Sequence, residues 1–461
     1  MCRDVRVCRG SSNLRRGALD CESLLFALNQ AACCRACNLI RRKQASLVKA
    51  KASFRSPKLR DGRERYPSLK SVEEKKQTSI DTDLQHFAED EKIHGAVVPP
   101  IFQNSLFVFD TYEDFSSGMA GLSKDEEKYY YSRISNPSMT VAEKKIAHLE
   151  HTDRAKVFGS GMAAVSCAIM SCVHQGAHVV SVDTCYSNTR QMLQDYLPKF
   201  GVKSTFVEGT CPEEFIDNFT DDTKLVILES PSTFFFKLQD IEAICKSAKA
   251  KGIKTMIDNS YSTPIFQTPA DFGVDLIVHS ATKYLGGHSD ITAGVICGPE
   301  SHMSHLIKDE MVIYGSALAP FPAWLLTRGM RTLKLRMKQH ELAGNFVAEW
   351  LEDSPFVERV HHVGLASFPQ KDLYRKQMAG SGGLISFEPK FQTKEEVARF
   401  INALELFQIG VSWGGFESLV VGALLEPMGY KEKRWVIRLY CGLEGPADLV
   451  ADLEQAFSKV G

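Results

Sequence analysis

The sequence predicts an α/β protein: a mostly parallel sheet covered by helices, followed by a smaller α+β domain. Three observations predict it. Between Arg154 and Gly298 short apolar runs alternate with longer helix-like stretches, their starts mostly about 20 to 30 residues apart, which is the pitch of βα units. Polar residues collect just past those runs, where ligands of such sheets bind: Asp183 to Tyr186, Glu229-Ser230, Asp258-Asn259-Ser260 and His279 to Lys283. After about Arg331 the texture changes to one long helical stretch, then short strand-like pieces and two more helices.

The first 80 residues stand apart. They hold 19 Lys/Arg against 7 Asp/Glu, a surplus of +12, while the rest of the chain is −13, although the totals are 55 and 56. Residues 23 to 60 contain no acid and nine basic side chains among Ser, Ala and Leu, which is transit-peptide composition. The expectation is a basic leader, disordered or targeting, that contributes nothing to the chemistry; the protein then works in the cytoplasm or, if the leader is read, in an organelle. Cys34 and Cys37 have zinc-ligand spacing but no second pair follows, and the head lacks the aromatics of a nucleic-acid module. Neither a metal nor nucleic acid is expected. Six of the 13 cysteines lie in the first 37 residues, and the other seven are scattered from Cys167 to Cys441, the pattern of reduced thiols.

Residues 81 to 140, with Pro99-Pro100, Gly118 and Asn136-Pro137, read as an irregular arm leading into a helix that starts near Met139. Residues 141 to 330 form the main domain, with strands at Lys156 to Phe158, His178 to Val182, Ser204 to Val207, Lys224 to Leu228, Lys254 to Ile257, Asp275 to Val278 and Gly294 to Cys297. Residues 331 to 461 form the second domain, with helices over Leu333 to Leu351, Lys394 to Leu406 and Pro446 to Phe457 and strand-like pieces at Gly383 to Phe387 and Val436 to Tyr440. Hydrophobic residues make up 44% and charged residues 24%, which excludes disordered and fibrous classes, and no apolar run is long enough to span a membrane.

Two segments could carry chemistry. Ser160-Gly161-Met162 follows the first strand and opens a helix of small residues, so its backbone amides could face a bound anion, although such a segment is more often a plain strand-to-helix turn. Lys283, just past an apolar strand, would stand at the ligand edge of the sheet. A desolvated lysine there is a Schiff-base nucleophile, whereas an ordinary loop lysine is solvated. Asp258 changes the weighting, because it ends the neighbouring strand and could hold a pyridinium proton. A lysine amine plus an aspartate at a ring nitrogen is the protein's half of pyridoxal 5'-phosphate (PLP) chemistry. His148 and His151 read as a surface pair.

The segment Ser280-Ala281-Thr282-Lys283-Tyr284-Leu285-Gly286-Gly287-His288-Ser289-Asp290 closely resembles the lysine signature of the Cys/Met-metabolism PLP enzymes. The resemblance runs from about residue 85 to the end. Tyr131-Ser132-Arg133, Asp183-Thr184-Cys185-Tyr186, Ile257-Asp258-Asn259, Ser412-Trp413-Gly414-Gly415 and Ile437-Arg438-Leu439 match further family segments. It implies a PLP-dependent transferase fold of the aspartate aminotransferase type, fold type I. It also implies that Lys283 carries PLP, Tyr186 stacks on its ring and Asp258 meets the ring nitrogen. The phosphate would take the amides of Gly161 and Met162, the hydroxyls of Ser280 and Thr282, and Tyr131 and Arg133 from a neighbouring subunit of a dimer of dimers. Arg438, helped by Ser412, would bind the α-carboxylate of a sulfur amino acid.

Departures from the family pattern point to a branch. Val411 stands where cystathionine γ-lyases usually carry glutamate, Asn188 where methionine γ-lyases typically have cysteine, and Trp413 resembles the cystathionine β-lyase branch, as does Ser230-Pro231-Ser232-Thr233-Phe234. Asn136-Pro137 is the form more typical of the γ-enzymes. The expectation is therefore cystathionine β-lyase, splitting L-cystathionine to homocysteine, pyruvate and ammonia. Methionine γ-lyase or a γ-replacement transferase is the alternative, and a non-catalytic PLP-fold binding protein the remote one.

Overall fold

The computed structural model describes residues 78–90, 92–119 and 128–460, so the basic head with its six cysteines lies outside the described residues. The main sheet has seven strands: β1 (Arg154–Phe158), β2 (His178–Val182), β3 (Lys203–Val207), β4 (Thr223–Leu228), β5 (Lys254–Asp258), β6 (Leu276–His279) and β7 (Gly294–Gly298). They lie in the order β1-β7-β6-β5-β4-β2-β3. Every neighbouring pair from β3 to β6 is parallel, as expected.

The seventh run departs from the expected pattern, because β7 is antiparallel to both β6 and β1. From the end of β6 the chain does not cross a face of the sheet as a helix. It turns back through the loop 280–293 and re-enters from the same end, which forces the opposite direction. That loop carries Lys283.

The strands read as continuous Val/Ile/Leu runs because both faces are covered. Alternate side chains go to two separate cores. Val226, Leu228, Ile257, Ile277 and Val295 join one core with Met139 and Ile146 of α1 (Pro137–Leu149). Leu225, Ile227, Met256, Val278 and Ile296 join the other with Ala164, Val165 and Ala168 of α2 (Gly161–Met170). Each helix has a local reason to begin. Pro137 occupies the first turn of α1, and Asn136, read from sequence as part of an irregular arm, caps it by accepting the Ser138 amide at 2.9 Å. Ser160 caps α2 through the Ala163 amide at 3.1 Å.

A smaller five-stranded sheet follows, built from β8 (Val357–His361), β9 (Leu384–Pro389), β10 (Gln408–Ile409), β11 (Leu419–Leu425) and β12 (Arg434–Tyr440) in the order β10-β11-β12-β9-β8. Its core takes Ala343, Val347 and Leu351 from the long helix Leu333–Glu352, Phe400 from Lys394–Ala403 and Leu453 from Pro446–Phe457. The sequence reading anticipates β9 and β12 and misses β11, whose seven apolar or glycine residues show no alternation. No helix among the described residues is long and apolar enough to cross a membrane.

Candidate active site

Parallel register brings the polar residues to one edge. Leu228 of β4 pairs with Ile257 of β5, and Asp258 pairs with Val278 of β6, so Glu229, Asp258 and the start of the Lys283 loop emerge side by side.

Lys283 Nζ donates to Ser412 Oγ at 2.6 Å and lies 5.3 Å from the centre of the Trp413 ring. Among the described residues no carboxylate lies within ion-pair range of it. Burial pushes its amine down to about 8, the charge on Arg438 adds to this, and Asp258 opposes it. The amine is therefore neutral in a useful fraction of molecules at ordinary pH. The loop that brings Ser412 there needs glycine: Gly414 has φ +90°, and a Cβ on it would stand 2.7 Å from the Lys283 Cα.

Arg438 is a half-buried cation without an anion. Its guanidinium donates to Val411 O at 2.8 Å, lies over the Phe234 ring at 5.2 Å, and forms no ion pair among the described residues. Burial pushes it down to about 10, with Tyr186 pulling the other way. Planar geometry and a missing counter-ion suit a ligand carboxylate. Phe234 itself was not anticipated; it holds φ +65°, a left-handed conformation costly for a bulky residue, and its ring faces the guanidinium.

Asp258 accepts from the Ser260 amide at 2.9 Å and from its hydroxyl at 2.5 Å through one oxygen, Oδ1. Ser260 Oγ in turn accepts the Ser280 amide at 2.6 Å, tying the Asp258 turn to the Lys283 loop. Tyr186 precedes the short helix α3 (Ser187–Gln191), and its side chain is exposed.

Gly161 opens α2 directly against Ser280; a Cβ on it would meet Ser280 Cβ and Oγ at 2.9 Å. The first amides of α2 have no carbonyl partner within the helix, so the backbone of Gly161 and Met162 is available to an anion beside Ser280. Thr282 is more committed: its hydroxyl donates to Ala293 O at 3.2 Å and accepts the Ala293 amide at 2.9 Å. Tyr131 and Arg133 are not among the contacts around Lys283. Arg133 reaches Val312 O at 3.4 Å and lies over the Tyr131 ring, and Tyr131 is exposed. His148 and His151 diverge, each bonding a carboxylate, Asp83 at 3.0 Å and Asp271 at 2.9 Å.

An amine whose hold on its proton is weakened by burial, a neighbouring carboxylate, a helix start open to phosphate and an unpaired guanidinium together fit PLP with an amino acid. Fold and donor set define a PLP enzyme of fold type I. A family model described as Cys/Met metabolism PLP-dependent enzyme matches residues 81–458. The L-methionine gamma-lyase of Porphyromonas gingivalis is 39% identical over 384 residues, 80% of this chain and 94% of that protein. The cystathionine beta-lyase of Lactococcus lactis subsp. cremoris is 35% identical, covering 83% of this chain and all of that one. The crystal structure of metB from Corynebacterium glutamicum superposes with a TM-score of 0.76 at 28% identity, covering 83% of this chain and 99% of that one. The chain belongs to the Cys/Met metabolism PLP-dependent enzyme family.

Proposed function

We propose that this PLP-dependent enzyme is a carbon–sulfur lyase of sulfur amino acids whose main reaction is γ-elimination, with L-methionine the substrate to test first. The observation that carries the lyase reading is the partly buried Lys283 amine, unpaired with any acid among the described residues and held by Ser412 within the field of Arg438. The greater identity to the methionine lyase than to the β-lyase favours γ chemistry over the cystathionine β-lyase expected from sequence.

When bound, PLP supplies the electron sink for the pair left at Cα. The protein's residues do the rest. Arg438, with Ser412 beside it, holds the α-carboxylate, and the neutral Lys283 amine removes the Cα proton. Tyr186 would stack on the cofactor ring, and its phenol beside Arg438 is a second group able to pass a proton, which γ chemistry requires because Cβ must lose a proton and the departing thiolate must gain one. Methionine and water then yield methanethiol, 2-oxobutyrate and ammonia.

The second reading, β-elimination of L-cystathionine, is favoured by Trp413, whose ring stands 5.3 Å from the Lys283 amine, and by Val411, which offers no carboxylate to a distal substrate amine. Keto-acid analysis separates the two. Rapid release of methanethiol and 2-oxobutyrate from methionine supports the γ reading. Slow turnover of methionine with mainly pyruvate from cystathionine replaces it by the β reading.

We further propose that a second copy of the chain completes the phosphate site through Tyr131 and Arg133, two such dimers pairing. Inactive Arg133→Ala and Lys283→Ala chains, mixed after partial unfolding, regain activity on this reading; heterodimers without activity would refute it. Residues 1–80 are dispensable to the chemistry, so a truncation retains the rate, and a reporter fused to them tests import into an organelle against a cytoplasmic location.

A further inference from the structure

The buried carboxyl of Glu229 is not accounted for by the roles above. It follows β4 immediately, and strand register sets it beside Asp258. Both its oxygens are occupied. Oε2 accepts the backbone amide of Tyr186 at 2.7 Å, and Oε1 accepts the Thr233 hydroxyl at 2.5 Å. Its own amide donates to Gln239 Oε1 at 3.0 Å, which fixes the backbone from which the carboxyl projects. Tyr186 has no side-chain cap at the start of α3.

We propose that Glu229 is a positioning residue: one carboxyl seats the Tyr186 backbone, and with it the phenol, at a fixed place relative to Asp258. The inference rests on the PLP reading of this site. It follows from geometry, since the Glu229–Tyr186 bond joins the end of β4 to the segment after β2, and Asp258 ends the strand next to β4. Electrostatics agrees. Burial first, and the Asp258 carboxylate second, push Glu229 up to about 8, so near neutral pH it mostly holds a proton, and the Oε1–Thr233 hydroxyl pair then runs with the carboxyl as donor. Glutamine, neutral and nearly isosteric, should therefore preserve the seat, accepting from Tyr186 and pairing its amide nitrogen with the Thr233 hydroxyl.

The test uses PLP-loaded Glu229→Gln, Glu229→Ala and Thr233→Val. Three quantities are measured: visible circular dichroism per bound PLP, the PLP dissociation constant by fluorescence, and the thermal midpoint of the apoprotein. Alanine is expected to change the ellipticity per bound PLP and weaken PLP binding about tenfold, as for loss of one buried hydrogen-bond partner. Glutamine is expected within about twofold of wild type. Should the alanine chain not fold, Thr233→Val gives the same change at roughly a third of the size, with the apoprotein midpoint unmoved. Unchanged ellipticity and PLP affinity in Glu229→Ala overturn the proposal, and so does a glutamine variant as impaired as alanine. If alanine does not fold, an unchanged Thr233→Val overturns it equally. Ellipticity is read without turnover, so failure of the assigned lyase reaction would leave this test intact.

Discussion

The buried Lys145 and the partly buried Lys283 show what separates a structural cation from a chemical one. Lys145 projects from α1, is fully buried, and has partners that consume its charge: Glu89 at 2.7 Å and Leu84 O at 2.9 Å, with Arg331 closing the other side of Glu89. Lys283 stands at the end of the sheet with a hydroxyl as its nearest partner, and the charge of Arg438 acts against its protonation. Burial pulls both amines down, but only around Lys145 does a bonded carboxylate pull back. Desolvation with a partner gives a fixed tie; desolvation without one gives a reactive amine.

Removing each lysine should therefore give opposite phenotypes. Lys283→Ala should lower turnover by about a thousandfold or more, because this amine is the nucleophile that holds the cofactor and the base at Cα, while the thermal midpoint of the apoprotein stays level or rises. Lys145→Met should cost about 3 kcal/mol of stability, because Glu89 keeps only Arg331, while activity per folded molecule is unchanged. Chemical denaturation and active-site titration of both variants measure this. A catalytic defect confined to folded Lys145→Met would break the comparison.

Arg438 sharpens it from the anion side. Arg438→Lys should lower kcat/KM by about 10- to 100-fold, mostly through KM, since a lysine ammonium cannot reproduce the bidentate fork. Steady-state kinetics on either thioether reads this.

Reactivity should follow the same division. In the apoprotein, labelling of Lys283 by an amine-directed reagent should rise with a midpoint near pH 8, where its neutral form appears. Lys145 should stay unlabelled until the protein unfolds. Peptide mapping across a pH series measures both, and a Lys283 midpoint above 10 would remove the distinction.

The smallest effect concerns acid. Hydrogen bonds and charges from Lys145 and Arg331 hold the Glu89 carboxyl below its ordinary range despite burial. A depressed carboxylate stabilises the fold above its unfolded pKa, and that contribution is lost as pH falls through the depressed value. Wild type should lose this increment below about pH 4.5, and Lys145→Met should show a shallower loss there, since less of it is present to begin with. Urea midpoints between pH 3 and 6 decide it.

Much of the site is legible one segment at a time. Lys283, Asp258, Tyr186 and Ser412 lie in short motifs whose residue types fit one chemistry, and the parallel strand pitch places the first three at one edge of the sheet, to which the second domain brings Ser412. Glu229 and Phe234 were visible as residues but not as participants. Nothing in a Glu-Ser-Pro run says that the glutamate reaches the amide of a residue 43 positions earlier. Likewise, nothing in Phe234 announces a left-handed backbone beneath an arginine. Such roles depend on contacts between distant segments, and periodicity carries no record of those.

What the sequence determined by itself is whatever local chemistry fixes: the alternation that builds a two-faced sheet, the helix that opens after Ser160, and the lysine at a strand end. Tertiary structure decided the direction of β7, the empty charge partner of Arg438, and which desolvated lysine is free to react. Direction follows from where a loop re-enters the sheet, and reactivity from which groups long-range packing brings within a few ångströms. Lys145 and Lys283 are the same side chain, and only the carboxylate that folding delivers to one of them makes them different.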